Sequence, residues 1–201
     1  MTNITIDIQV WFLRHGKTRF DYENSKYDDF IQMLCNPDKS LLAEDPGIDF
    51  KSLPKQADFI GCSPTRRAIQ TGEFLRHKLD IKQVKKLGIL REVRFDVDLF
   101  QGHEYVPLPT SRKYILERWY YGLNKAETFE DSFARVREIE SYLKKRQEKT
   151  IILVTHGWFL RLLEIYFVQG KHTNITYDDL LEASPVPLGH CIKATVAHVS
   201  C

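Results

Sequence analysis

The chain has 201 residues, 43% of them hydrophobic and 28% charged, with a formal net charge of +2 at pH 7. That length and apolar share suit one domain with a sizeable core, while the mixed charges give no strong field for nucleic acid or a membrane surface. Cys35, Cys62, Cys191 and Cys201 are too scattered for a zinc or redox pair, and no cationic segment leads into a long apolar stretch, so a reduced, cytoplasmic chain without signal peptide or membrane span is expected. In chain order, the pattern predicts a strand over 5–13, a helix near 25–35 and a Pro/Asp-rich loop over 36–54. A strand over 57–62 and a helix over 64–79 follow, with Ser63 as N-cap and Pro64 at the first helical position. A short strand near 83–87 lies in the basic run 82–86, which reads as a solvated surface. Residues 95–125 read as irregular and aromatic-rich. A long amphipathic helix over 128–147 opens with Thr128 and Asp131 in near capping-box spacing. A strand over 150–155, a helix over 158–168, a short helix over 178–183 and a closing strand over 192–199 complete the order. Strands alternating with helices predict an α/β three-layer sandwich, its central sheet mostly parallel and flanked by helices.

The chemistry gathers where strands stop. Arg14-His15-Gly16 ends the first strand, Ser63-Pro64 with Arg66-Arg67 ends the second, and Thr155-His156-Gly157 ends the strand over 150–155. Ligands of open α/β sheets bind at the carboxyl ends of strands. An Arg there can clamp a phosphate with two parallel N–H bonds, a neutral His can attack phosphorus, and a helix that starts at once after a strand favours an anion at its N-terminus. Arg66 and Arg67 diverge by about 100° on a helix, so only one of them faces the pocket.

Leu13-Arg14-His15-Gly16-Lys17-Thr18, Ser63-Pro64 with Arg67-Ala68 and Gln70-Thr71, Leu90-Arg91-Glu92, and Val154-Thr155-His156-Gly157 together resemble the histidine phosphatase superfamily, which includes the cofactor-dependent phosphoglycerate mutases. The matches run in the family's order over roughly residues 8 to 165. The resemblance implies one histidine-phosphatase-like domain over 1–201, with 95–125 as a partial cap that sets substrate preference. It implies a metal-independent phosphatase that hydrolyses phosphomonoesters through phosphohistidine. His15 is then the nucleophile, neutral because two flanking arginines disfavour imidazolium. Arg14 and Arg67 clamp the phosphoryl group, with Arg67 rather than Arg66 in the family's position before Ala. His156 donates a hydrogen bond to the phosphoryl group, and adds charge if protonated. Glu92 is the general acid, and Glu104 is the reserve candidate. Thr18 and Asn24 join Arg14, Arg67 and His156 in binding substrate.

The chain also departs from the family pattern. Lys17 stands where Glu or Gln is common, Asp21 where Asn often touches phosphate, and Val93-Arg94-Phe95-Asp96-Val97-Asp98 replaces an aromatic-Gly and Trp-Glu-Gly run. Arg94 is placed to salt-bridge Glu92 and keep it ionised. Gly122-Leu123-Asn124-Lys125-Ala126-Glu127-Thr128 echoes a mutase segment but sits some thirty residues after Glu92, and is read as the start of a helix. Trp119-Tyr120-Tyr121, with Tyr105 and Tyr114, either lines a substrate pocket or forms a hydrophobic cluster under a long loop, the second being favoured. Arg112, Lys113 and Arg118 are read as solvated rather than as holders of a second anionic group. A phosphoglycerate-type mutase and an inactive phosphate- or phosphoprotein-binding module are the competing readings. The expected partner is a small phosphorylated substrate, with no nucleic acid, membrane, cofactor or metal. Neither the individual phosphomonoester nor the oligomeric state is specified by the pattern.

Overall fold

Alternation along the first strand sets the two faces of the sheet. The computed structural model describes residues 5–20, 40–96, 108–183 and 185–199. The predicted helix near 25–35, along with Asp21, Asn24, Cys35, Glu104, Tyr105, Cys201 and the Arg112 side chain, lies outside what is described. Strand β1 (Thr5–Arg14) buries Ile8, Val10 and Phe12 in one core cluster and Trp11 and Leu13 in another. Strand β4 (Thr150–Thr155) does the same, with Ile151 and Leu153 on the first face and Ile152 and Val154 on the second. A strand buried on both faces is the mark of a sheet covered by helices on either side. The sheet adds β2 (Phe59–Cys62), β3 (Val84–Lys86) and β5 (Cys191–Val199), in the order β3-β2-β4-β1-β5. The pairs β1–β4, β4–β2 and β2–β3 are parallel, and only β5 runs antiparallel, along the free side of β1. The expected three-layer α/β sandwich is what forms. Exposed Lys85 and Lys86 on the short edge strand β3 discourage further pairing there.

Helix α1 (Arg66–Lys78) covers the second face through Ala68 and Leu75. Helices α2 (Leu108–Tyr120), α3 (Phe129–Leu143) and α4 (Gly157–Leu163) supply buried side chains to the first. Helix α4 continues as a π turn over Glu164–Val168, so the element expected over 158–168 is one α-helix that widens. Helix α5 (Tyr177–Glu182) opens with the capping box Thr176–Asp179. The Thr128–Asp131 capping box forms as the sequence predicts, although α3 stops at Leu143, short of 147.

Two further expectations need correction. Residues 95–125 are not irregular throughout, because α2 occupies 108–120. Its Ile115, Leu116 and Trp119 are buried, so Trp119 belongs to the main core and lines no pocket. Exposed Tyr121 stacks on Tyr177 at its edge. Helix α1 starts at Arg66 with Thr65 as N-cap, and no side chain caps it. Ser63 stands two residues before that N-cap, and its hydroxyl meets the Thr65 N–H at 3.5 Å and the His156 ring rather than an N–H inside the helix.

The parallel register does the positioning. Arg14 stands opposite Thr155, and Cys62 opposite Val154, so three strands end at one level. The His15 N–H then bonds the Thr155 carbonyl at 3.0 Å, and the Ser63 N–H the Val154 carbonyl at 2.9 Å. The central strand is thus the most sensitive part of the scaffold. Ile152→Ala should destabilise the fold by about 2–5 kcal/mol through transfer and cavity terms. Thr128→Ala, which removes a cap, should cost about 1 kcal/mol. Urea unfolding of both variants checks the ranking, and equal losses would contradict the central placement of β4.

Candidate active site

One guanidinium organises the strand ends. Arg67, at the second position of α1 and only 5% exposed, donates from Nε to His15 Nε2 at 3.0 Å and from Nη2 to His156 Nδ1 at 3.1 Å. The two imidazole centroids lie 5.1 Å apart. These bonds fix both tautomers, because an arginine can only donate. His15, 3% exposed, turns Nδ1–H to the carbonyl of Gly16 at 2.9 Å and presents the Nε2 lone pair. His156 accepts at Nδ1, so its Nε2–H donates to Ser63 Oγ at 2.8 Å and to Thr65 Oγ1 at 3.3 Å. Loss of water, then the Arg67 charge, holds both rings well below the usual imidazole range. His156 is therefore neutral in this arrangement and adds no charge of its own.

Arg14 closes the other side. Its Nη1 donates to the Val186 carbonyl at 2.8 Å, and its charge further disfavours protonation of both histidines. The two glycines after the histidines are required by close approach. A Cβ at Gly157 would lie 3.1–3.2 Å from the Arg14 guanidinium, and one at Gly16 would lie 2.8 Å from both Cβ and the carbonyl oxygen of Pro46. Thr71 ties the first strand end to α1. Its Oγ1 accepts from the Gly16 N–H at 3.1 Å and donates to the Arg67 carbonyl at 2.8 Å. The sequence pattern assigns Ser63 only an N-cap role and Thr71 none. Exposed Arg66 lies off the buried face that Arg67 occupies. Thr18 forms an isolated bridge with Leu42, and its Oγ1 is buried without a hydrogen-bond partner among the described residues. Lys17 is exposed. Asp21, Asn24 and Glu104 add nothing to this geometry, since they fall outside the described residues.

Glu92 reaches the same strand ends from the segment after the 3-10 turn Gly88–Leu90. Its carboxylate takes the N–H groups of Phe159 at 2.9 Å and Trp158 at 3.2 Å, at the start of α4, and that of Val93 at 3.0 Å. A carboxylate at a helix N-terminus is favoured by the free N–H groups and the dipole. Burial nevertheless outweighs these donors and the charge of Arg67, so the pKa of Glu92 is raised above its ordinary value. The expected Arg94–Glu92 salt bridge does not form. Arg94, 65% exposed, instead lies 3.8 Å from Glu127. Nor is 122–128 merely the start of a helix, because Asn124 and Glu127 are buried and hydrogen-bond the backbone of Arg94 and Asp96. Sequence reasoning missed both, along with Arg135.

The resulting cleft holds two permanent cations, two neutral imidazoles and a carboxyl group biased toward its protonated form. Such a site can bind a phosphoryl group, attack it through nitrogen and protonate a leaving oxygen. Among the described residues no group of three or more His, Cys, Asp or Glu is arranged to hold a metal ion, and no helix is long and apolar enough to cross a membrane. Cys62 and Cys191 are free, and burial pushes the Cys62 thiol up to about 12.

The chain is similar to several known proteins. A curated protein of Schizosaccharomyces pombe described as a probable phosphatase is 26% identical over 180 residues, 82% of this chain and 81% of that protein. The solved structure of a mycobacterial hydrolase superposes with a TM-score of 0.65 at 14% identity, covering 97% of each chain. Mycobacterial glucosyl-3-phosphoglycerate phosphatase in complex with inorganic phosphate gives 0.58 at 17% identity and 96% of each chain. A phosphoglycerate mutase from Bacillus anthracis gives 0.56 at 14% identity, over 98% of this chain and 92% of that one. The family model of the histidine phosphatase superfamily (branch 1) matches residues 10–184, and the chain belongs to that superfamily.

Proposed function

We propose that this protein is a metal-independent phosphatase that hydrolyses small phosphomonoesters through a phosphohistidine on His15. The observation that carries the reading is the polarity of the His15 ring. Nδ1–H is spent on the Gly16 carbonyl, so the Nε2 lone pair faces the Arg67 guanidinium. A phosphoryl group bound by Arg67 and Arg14 takes over the Arg67 N–H and leaves that lone pair facing phosphorus. Nε2 attacks phosphorus, the bond to the leaving oxygen breaks, and that oxygen takes its electron pair and the proton of Glu92. Water then attacks the phosphohistidine and gives a proton to the Glu92 carboxylate. The N–P bond breaks with its pair returning to Nε2, and inorganic phosphate leaves. The arginines stabilise charge on the non-bridging oxygens, and His156, its one N–H spent on Ser63 and Thr65, steadies the Arg67 guanidinium by accepting from it at Nδ1. The relatives described as phosphatases support hydrolysis rather than transfer.

A phosphoenzyme trap tests this. Wild type mixed with a generic aryl phosphate and quenched in alkali should show one transient phosphoryl adduct by intact mass, together with turnover. His15→Ala should show neither, and EDTA should leave wild-type activity intact. Adduct without hydrolysis would point to a mutase, and folded wild type with neither would point to a binding module.

The pH profile follows from the two shifts. His15 attacks only when neutral, and its lowered pKa puts the acid limb below the usual imidazole value of 6.5. Glu92 donates only when protonated, and its raised pKa puts the alkaline limb above the ordinary carboxyl value of 4.5. Activity as kcat/KM should therefore be bell-shaped between those limbs. Glu92→Gln should remove the alkaline limb and lower kcat about 10²–10⁴-fold on a poor leaving group. An unchanged alkaline limb in that variant would assign the acid elsewhere.

A further inference from the structure

The segment that carries Glu92 has no strand or helix of its own beyond the short turn before it, yet a general acid must be held to within a fraction of an ångström. What holds it is a buried polar cluster at the start of α3. Arg135, 5% exposed, donates from Nη1 to the carbonyls of Ile89 at 3.1 Å and Arg91 at 2.7 Å, on either side of Leu90 and immediately before Glu92. Its Nε and Nη2 both pair with Glu127 Oε1, which also takes the Ser132 hydroxyl at 2.8 Å. Glu127, 2% exposed, uses Oε2 to take the N–H of Arg94 at 3.1 Å. Asn124 spans the same stretch, accepting from the Asp96 N–H at 2.9 Å and donating to the Arg94 carbonyl at 2.7 Å. The Arg135 guanidinium lies 4.1 Å over the ring of Phe159, whose backbone N–H donates to Glu92.

A buried ion pair is weak evidence of stability, because desolvation offsets much of its attraction. Here Arg135 Nη1 and Glu127 Oε2 each reach the backbone on one side or the other of Glu92. We propose that Glu127 and Arg135 are positioning residues for the general acid, holding the carboxyl of Glu92 against the start of α4 so that its proton faces the leaving oxygen. This assignment rests on the phosphatase reading above. The pair touches no substrate and acts only through Glu92.

Leaving-group dependence separates positioning from general scaffolding. Wild type, Glu92→Gln, Arg135→Lys and Glu127→Gln would be assayed on 4-nitrophenyl phosphate, whose leaving group needs little protonation, and on an alkyl phosphate, whose leaving group needs it. Arg135→Lys and Glu127→Gln should lose about 10²-fold in kcat on the alkyl ester and less than about 10-fold on the aryl ester. Looser packing readmits water to Glu92 and lowers its pKa toward the ordinary value, so the alkaline limb should move to lower pH. Arg135→Lys should cost nothing further on the alkyl ester in a Glu92→Gln background. Asn124→Ser, which loosens the same stretch without stranding a charge, should show the same selectivity and serves if the charge variants do not fold. Equal losses on both esters with an unmoved pH profile would overturn the assignment while leaving the phosphatase reading intact. Equal losses on both esters in Glu92→Gln itself would take the general-acid role from Glu92 and overturn this assignment, whereas absence of both adduct and turnover in wild type would overturn the phosphatase reading.

Discussion

The site depends on a single buried cation bonded to two neutral rings. Arg67 sits almost wholly out of water and donates to both histidines. A buried guanidinium is costly unless it is hydrogen-bonded, and Arg14 adds a second positive charge near the two rings. Much of the surrounding order serves to keep this tolerable. Both imidazoles give up their protonated form, Ser63 and Thr65 take the proton that His156 turns away, and Thr71 fixes the helix turn that carries the arginine. The arrangement sets two positive charges beside two uncharged rings.

That constraint also explains why three separate stretches of chain must stop together. In a parallel sheet, adjacent strands bring their carboxyl ends to the same edge, and the register here sets them within one residue of each other. His15 and Ser63 each continue the ladder onto β4 by one backbone bond past the strand. Their side chains are consequently placed by the sheet rather than by the loops that follow. Gly16 and Gly157 let those loops turn away without pushing on Pro46 or Arg14.

Strand ends were legible because β-branched runs announce strands and an Arg-His or His-Gly pair stands out against them. The sheet, α1, α3 and the gathering of Arg14, His15, Arg67 and His156 about the strand ends could all be read that way. Helix α2 was hidden by Pro109 and by its mixture of aromatic and basic residues, although buried Ile115, Leu116 and Trp119 keep helical spacing. The support of Glu92 was invisible for a different reason. Asn124, Glu127 and Arg135 act on backbone some thirty to forty-six residues away, and no local period encodes such a contact. One signal was present. Arg135 and Ser132 interrupt the buried stripe formed by Phe129, Phe133, Val136, Ile139 and Leu143, and a charge on a core-facing stripe calls for a buried partner.

The antiparallel strand β5 gives the molecule a temporal order. Arg14 is held by the carbonyl of Val186 through its side chain and by that of His190 through its backbone, a separation of 172 residues for the first of these. Strand β1 is made early, but its neighbours on both sides, β4 and β5, are made late. During synthesis its apolar faces therefore wait unpaired while most of the chain emerges, and closure entropy must be met before these contacts form. The two carbonyls that hold Arg14 are thus made only after all of β1 to β4.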